Sequence, residues 1–121
     1  MSVLVLVFIC VGLGVIGQLA MKRGMNEVGL IGIKDFFTSK VFQIILQEYV
    51  LIGMVFYVLA ALVWLVILSQ EELSFAYPLI SIAYVITTIL SKLLFNESLT
   101  IFRFFGILLI CGGVYMIVLK I

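Results

Sequence analysis

The 121-residue chain has no histidine, a single proline, two cysteines and few charges: Asp, Glu, Lys and Arg make up 11% of it and hydrophobic residues 66%. Each shortage excludes something. Without histidine, the usual general base and the commonest metal ligand are both missing. Cys10 and Cys111 both fall inside long apolar runs, which argues against a structural disulfide, and no metal-ligand spacing exists. No enzymatic chemistry, no metal and no cofactor is expected. The most telling shortage is local. Asp and Glu do not occur within Val3 to Met21, Tyr49 to Ser69, Leu73 to Phe95 or Ile101 to Leu119. A proton-driven exporter of hydrophobic cations needs an ionisable acid inside the membrane, and the nearest one here is Glu48, at the edge of the second run.

Those four runs occupy nearly the whole chain. At 1.5 Å of rise per residue each gives a helix of about 28 to 35 Å, matching a hydrocarbon core of about 30 Å. Helices of a soluble domain keep a polar face, and strands of a membrane barrel are shorter and alternate in polarity; these runs do neither. The expected fold is an all-α integral membrane protein, a four-transmembrane-helix bundle forming a single domain over residues 1–121. The opening MSVLVLVF lacks a basic n-region and any A-x-A-like cleavage site, so the first run reads as a retained helix and not a secretion signal.

Net charge is close to zero, but the cations are unevenly placed. Lys22, Arg23, Lys34 and Lys40 lie in the first connection and Lys92 and Arg103 flank the third, leaving Lys120 alone on the opposite side. By the positive-inside rule the first and third connections are cytoplasmic. Both termini and the Glu71-Glu72 turn then face outward across the cell's inner membrane, in one orientation. Within the first connection, Asp35 to Gln47 places Phe37, Val41, Ile44 and Ile45 at helical spacing, with Lys40, Gln43 and Gln47 elsewhere on the wheel. Two readings fit: a short helix in the interface plane, or an extension of the second span.

The third run carries the most structured polar signal. Ser74, Tyr77, Ser81, Tyr84, Thr88 and Ser91 recur at steps of three and four, which puts six hydroxyls on one stripe of a helix. Such a stripe is either packing glue between helices or the lining of a polar path, and its bulky tyrosines suit a path better. Pro78 frees a backbone carbonyl in the same helix and permits a kink. In the first run Cys10, Gly14, Gly17, Met21 and Gly24 form a groove for close approach, with Gln18 beside it. In the fourth, Gly106 and Gly113 stand one heptad apart, with Gly112 adjacent, as expected of a helix or subunit interface. Trp64 and the tyrosines near span ends read as ordinary interfacial or packing residues.

Lys22, Arg23, Lys92 and Arg103 share one membrane edge. They anchor the bundle by snorkelling, or they converge on an anionic head group. Glu97 on the same face precedes the fourth helix, where a carboxylate favours the helix dipole and Thr100 or Ser98 can act as N-cap.

GQLAMKRGM closing the first helix, LIGMVFYVLAALVWLVILSQEELSFAYPLIS across the second turn, LFNESLT after the third helix and GILLICGGVYMIV in the fourth resemble the drug/metabolite transporter superfamily. Among its four-helix members the chain is most similar to the subunits of the flippase for undecaprenyl-phosphate-linked aminoarabinose, through Gln18, Lys22 and Ala76-Tyr77-Pro78. It departs from the small multidrug resistance exporters, whose first-helix glutamate has no counterpart in VGLGVIGQ. The resemblance implies alternating access around a midplane site built from two inverted repeats, of which this chain holds one. It therefore implies an oligomer: first a hetero-oligomer with an oppositely oriented four-helix homologue, then a homodimer. The stripe would pass a sugar-phosphate head, with Lys22, Lys92 and Arg103 receiving its phosphate while the polyprenyl tail stays in membrane lipid. The other readings are a cation exporter coupled through Glu48 and a non-transporting assembly subunit. No nucleic-acid partner is implied.

Overall fold

The computed structural model describes residues 2–119, so Lys120, the one cation counted on the outer side, lies outside the described residues. The elements in chain order are α1 (Val3–Val28), a 3-10 turn (Ile33–Phe37), α2 (Lys40–Ile45), α3 (Glu48–Gln70), α4 (Leu73–Ile80), α5 (Ile82–Phe95) and α6 (Ile101–Leu119). Four helical stretches are long and apolar enough to cross a membrane, with α4 and α5 together making one crossing, and no strand occurs among the described residues.

Two boundaries differ from the sequence expectation. First, α1 does not stop at Met21 but runs on to Val28, ending where Gly29 takes φ 94° and donates its N–H to the Met25 carbonyl at 2.9 Å. Lys22, Arg23, Met25 and Glu27 are good helix formers, so the helix outlasts the apolar run. The positive φ that ends it suits glycine. Second, the third crossing is broken at Ser81. Pro78 has no N–H, and the chain tightens after it: the Ser81 N–H bonds the Pro78 carbonyl at 3.1 Å and the Tyr84 N–H bonds the Ser81 carbonyl at 2.9 Å. The Ser81 hydroxyl also donates to the Pro78 carbonyl, so the turn holds itself.

The loop after α1 settles into α2 as a separate short helix. Gln47 adopts extended backbone, and its side-chain Oε1 accepts the Val50 N–H at 3.0 Å, which starts α3 afresh. Its Nε2 donates to Glu27 Oε2 at 2.6 Å and so ties the end of α1 to the start of α3.

In lipid the hydrophobic effect does not drive helices together, so close van der Waals contact must. The α1–α3 pair supplies it. A Cβ on Gly17 would stand 2.9 Å from the Gly53 carbonyl oxygen, one on Gly53 would stand 2.6 Å from that of Gly17, and one on Gly24 would meet the backbone N of Val50 at 2.8 Å. Above this crossing Leu6, Val7, Cys10, Val11 and Val15 of α1 pack with Ala60 and Ile67 of α3, Ala76 and Leu79 of α4 and Val114 of α6. The core thus gathers at the end of the bundle that carries the Glu71-Glu72 turn. Among the described residues α5 has none fully buried, and α6 packs chiefly on α4 and α5.

Candidate functional site

At the level of the break between α4 and α5, a half-open cleft of about 410 Å³ lies between α1, α3 and the broken helix. Its walls are Cys10, Val11 and Gly14 of α1, Tyr57, Ala60, Ala61 and Trp64 of α3, and Tyr77, Ile80, Ser81, Ala83 and Tyr84 of the third crossing. Ala60 stands near the middle of its crossing and Ser81 within the first half of its own, so the cleft opens along the length of these helices and not at their ends. The tight turn at Ser81 lies in its wall, with Ile80 before it and Ala83 after it.

The cleft is aromatic with polar tips. Trp64 and Tyr77 meet edge to face with ring centroids 5.9 Å apart. Among the described residues the hydroxyls of Tyr57, Tyr77 and Tyr84 have no hydrogen-bond partner, and all three side chains are exposed. By contrast the smaller hydroxyls are spent on the backbone: Ser81 bonds the Pro78 carbonyl and Thr88 the Tyr84 carbonyl, at 2.7 Å. Cys10 is buried and donates its thiol to the Ala60 carbonyl at 3.4 Å.

Only part of the hydroxyl stripe reaches this space. Tyr77, Ser81 and Tyr84 line it, while Ser74, Thr88, Ser91 and Gln18 do not. Gln18 lies between Gly14 and Lys22 on α1, and Thr88 and Ser91 lie between Tyr84 and Lys92 on α5, so these three fall between the cleft and the cationic edge. Ser74 lies beyond the cleft toward the acidic turn. Tyr57 and Trp64, which the sequence left without a role, belong to the cleft. Tyr57, Ala60, Ala61 and Trp64 follow the i, i+3, i+4, i+7 pattern of one helix face, the signal that marks them.

The glycines divide as well. Gly17 is held against α3, but a Cβ on Gly14 would meet nothing within 4 Å, and Gly14 borders the cleft. Nor would a Cβ on Gly106, Gly112 or Gly113 meet anything within 4 Å, so none of them seats a helix within this chain.

At the edge, α5 ends on Asn96 in the left-handed conformation, φ 54°, which turns the chain and presents Glu97. Lys22 Nζ lies 3.8 Å from Glu97 Oε2, both side chains being about half exposed. A pair this open contributes under about 1 kcal/mol. Arg103 donates to the Ser98 carbonyl at 2.8 Å, and its N–H bonds the Thr100 hydroxyl at 3.2 Å, making Thr100 the N-cap of α6. Lys22 and Arg103 therefore meet around the 96–100 loop. Arg23 turns elsewhere, stacking 4.5 Å over the Tyr49 ring. Lys92 is exposed and pairs with no carboxylate among the described residues.

No family model matches the chain. No solved structure matches it either. Curated relatives do. A protein of Serratia proteamaculans named "probable 4-amino-4-deoxy-L-arabinose-phosphoundecaprenol flippase subunit ArnF" is 35% identical, over 84% of this chain and 81% of the relative. The Proteus mirabilis protein of the same name is 36% identical over 84% and 80%. A Pseudomonas fluorescens protein named as the corresponding subunit ArnE is 29% identical over 97% and 96%. With such identity over most of its length, the chain belongs to the ArnE/ArnF family.

Proposed function

We propose that this chain is one subunit of a flippase that carries a polyprenyl-phosphate-linked sugar across the inner membrane by alternating access. The observation that carries the reading is the cleft with its three unpaired tyrosine hydroxyls, in a chain related to proteins named as flippase subunits for such a lipid. The sugar head needs hydrogen bonds that lipid cannot give, and Tyr57, Tyr77 and Tyr84 offer them, with Trp64 as a face on which a sugar ring can lie. The phosphate is received at the edge by Lys22, Lys92 and Arg103, and Gln18, Thr88 and Ser91 carry the head between edge and cleft. Ser74 continues the route toward the acidic turn. The half-open wall lets the polyprenyl tail remain in the bilayer.

The 22–48 and 96–100 connections face the cytoplasm, and both termini face outward. One repeat leaves the site incomplete, so a related four-helix subunit of opposite orientation closes the other side. Relatives under two subunit names, ArnE and ArnF, support a pair of unlike chains. The unseated glycines of α6 suit the contact between them. Coupling through an intramembrane acid has little support, because Glu48 sits exposed in the first turn of α3, at the edge and not in the cleft.

The test is the amount of lipid-linked amino sugar reaching a membrane-impermeant amine reagent in intact cells that carry this chain as the sole source of its subunit. Lys22→Ala and Tyr84→Phe should each lower it. Unchanged labelling in both variants would overturn the route.

A further inference from the structure

The Glu27–Gln47 hydrogen bond makes a loop out of residues that are not needed to join anything: α1 and α3 already touch where the chain leaves one and enters the other. Yet the chain spends the whole of 29–47 on an excursion that returns to the same place. The excursion is rich in large apolar side chains, and almost none of them packs. Leu30 is 99% exposed, Phe37 88%, Ile33 81% and Phe42 64%, with Phe36, Ile45 and Leu46 exposed as well; Ile44 alone is buried. A patch of that size and character is not left to water.

We propose that the 29–47 excursion is an in-plane anchor, lying in the head-group layer at the face that carries Lys22 and Arg23, with anionic lipid as its partner. Two features commit the surface to lipid. It is flanked directly by α1 and α3, two of the helices apolar enough to cross a membrane. It also interleaves its aromatics with Lys34 and Lys40, against the single acid Asp35, which itself is turned back to accept the Gly32 N–H at 2.8 Å. Aromatic rings interleaved with lysines match an anionic surface. The short 3-10 turn and α2 allow this by placing apolar residues without a long regular helix that would have to cross.

The experiment uses the full chain with Cys10→Ala and Cys111→Ala, a nitroxide attached in turn at Phe37→Cys, Phe42→Cys and Lys34→Cys, and vesicles of phosphatidylglycerol or of phosphatidylcholine alone. In phosphatidylglycerol, labels at 37 and 42 should collide with oxygen several-fold more, relative to a water-soluble nickel complex, than the label at 34. Trypsin cleavage after Lys34 and Lys40, in otherwise unaltered protein, should be several-fold slower in phosphatidylglycerol than in phosphatidylcholine. Phe37→Asp with Phe42→Asp should restore fast cleavage, and neither residue belongs to the core. Nickel access at 37 and 42 equal to that at 34 would overturn the proposal. Dipolar broadening between labels of different chains would overturn it too, by showing a second copy on this surface. Cleavage indifferent to lipid charge would remove the anionic partner.

Discussion

Two kinds of hydroxyl stand on one stripe and differ in what they have left to give. Ser81 and Thr88 bond carbonyls of their own helix, so at the cleft Ser81→Ala removes little that a substrate used. Tyr84 keeps its hydroxyl free at the cleft. Replacing it with Phe preserves the ring and deletes one hydrogen bond to substrate. In surface labelling of the lipid-linked sugar, Tyr84→Phe should lower the rate by roughly three- to tenfold, the equivalent of a single hydrogen bond, while Ser81→Ala stays near the parent value. Equal losses would mean the stripe acts through helix shape. Glycines separate by the same logic. Gly17→Leu forces a side chain where even a Cβ would lie 2.9 Å from the Gly53 carbonyl oxygen, whereas Gly112→Leu enters open space. Gly17→Leu should cost roughly 1–3 kcal/mol of stability, read as an earlier loss of the monodisperse peak on heating in detergent, and Gly112→Leu should not destabilise the isolated chain. Sequence spacing marked Gly17 on the first helix and Gly106 and Gly113, with Gly112 adjacent, on the fourth, but a pattern of small residues records where approach is permitted and not which neighbour arrives.

Helices rather than residues decide where the cleft is. Pro78 and the tight turn at Ser81 divide the third crossing into α4, which buries Ala76 and Leu79 in the core, and α5, whose Ile82, Ala83 and Leu90 pack against the core but are only partly buried. Proline inside a helix costs about 3 kcal/mol relative to alanine, so Pro78→Ala should raise the unfolding temperature in detergent and, by straightening the crossing, lower transport. A variant that is stabilised and equally active would detach the break from function. The four crossings were legible because apolar length alone reports them, and the N-cap at Thr100 because the residue type and its place before an apolar run coincide. The run of α1 to Val28 was not, since hydropathy follows the lipid boundary and helical propensity continues past it through Lys22, Arg23 and Glu27. The cleft wall on α3 was also hidden. That helix is apolar on every side, so polarity marks no face of it, and only the spacing of Tyr57, Ala60, Ala61 and Trp64 singles one out.

For the whole molecule, the proposed pairing with a second subunit turns on the α6 glycines that seat no helix within this chain. A partner of opposite orientation predicts that Gly113→Leu leaves the lone chain folded but reduces its co-purification with the second subunit. A homodimer instead predicts the loss in the absence of any second subunit. The distribution of Lys and Arg predicts that a cysteine placed at Ser98 is shielded from impermeant maleimide in intact cells, while one at Glu72 reacts; the reverse pattern would invert the whole assignment. The span count was the most readable part of the sequence, because apolar length is a sum over many residues and tolerates local error.

The buried side chains gather at the acidic-turn end, while the closest backbone approach, Gly17 against Gly53 and Gly24 against Val50, lies toward the other end. There α1 and the loop after α5 meet across the 3.8 Å gap between Lys22 and Glu97. A clasp so exposed holds by little, so Glu97→Gln should leave thermal stability in detergent near that of the parent, because glycine contact and not charge fastens this pole.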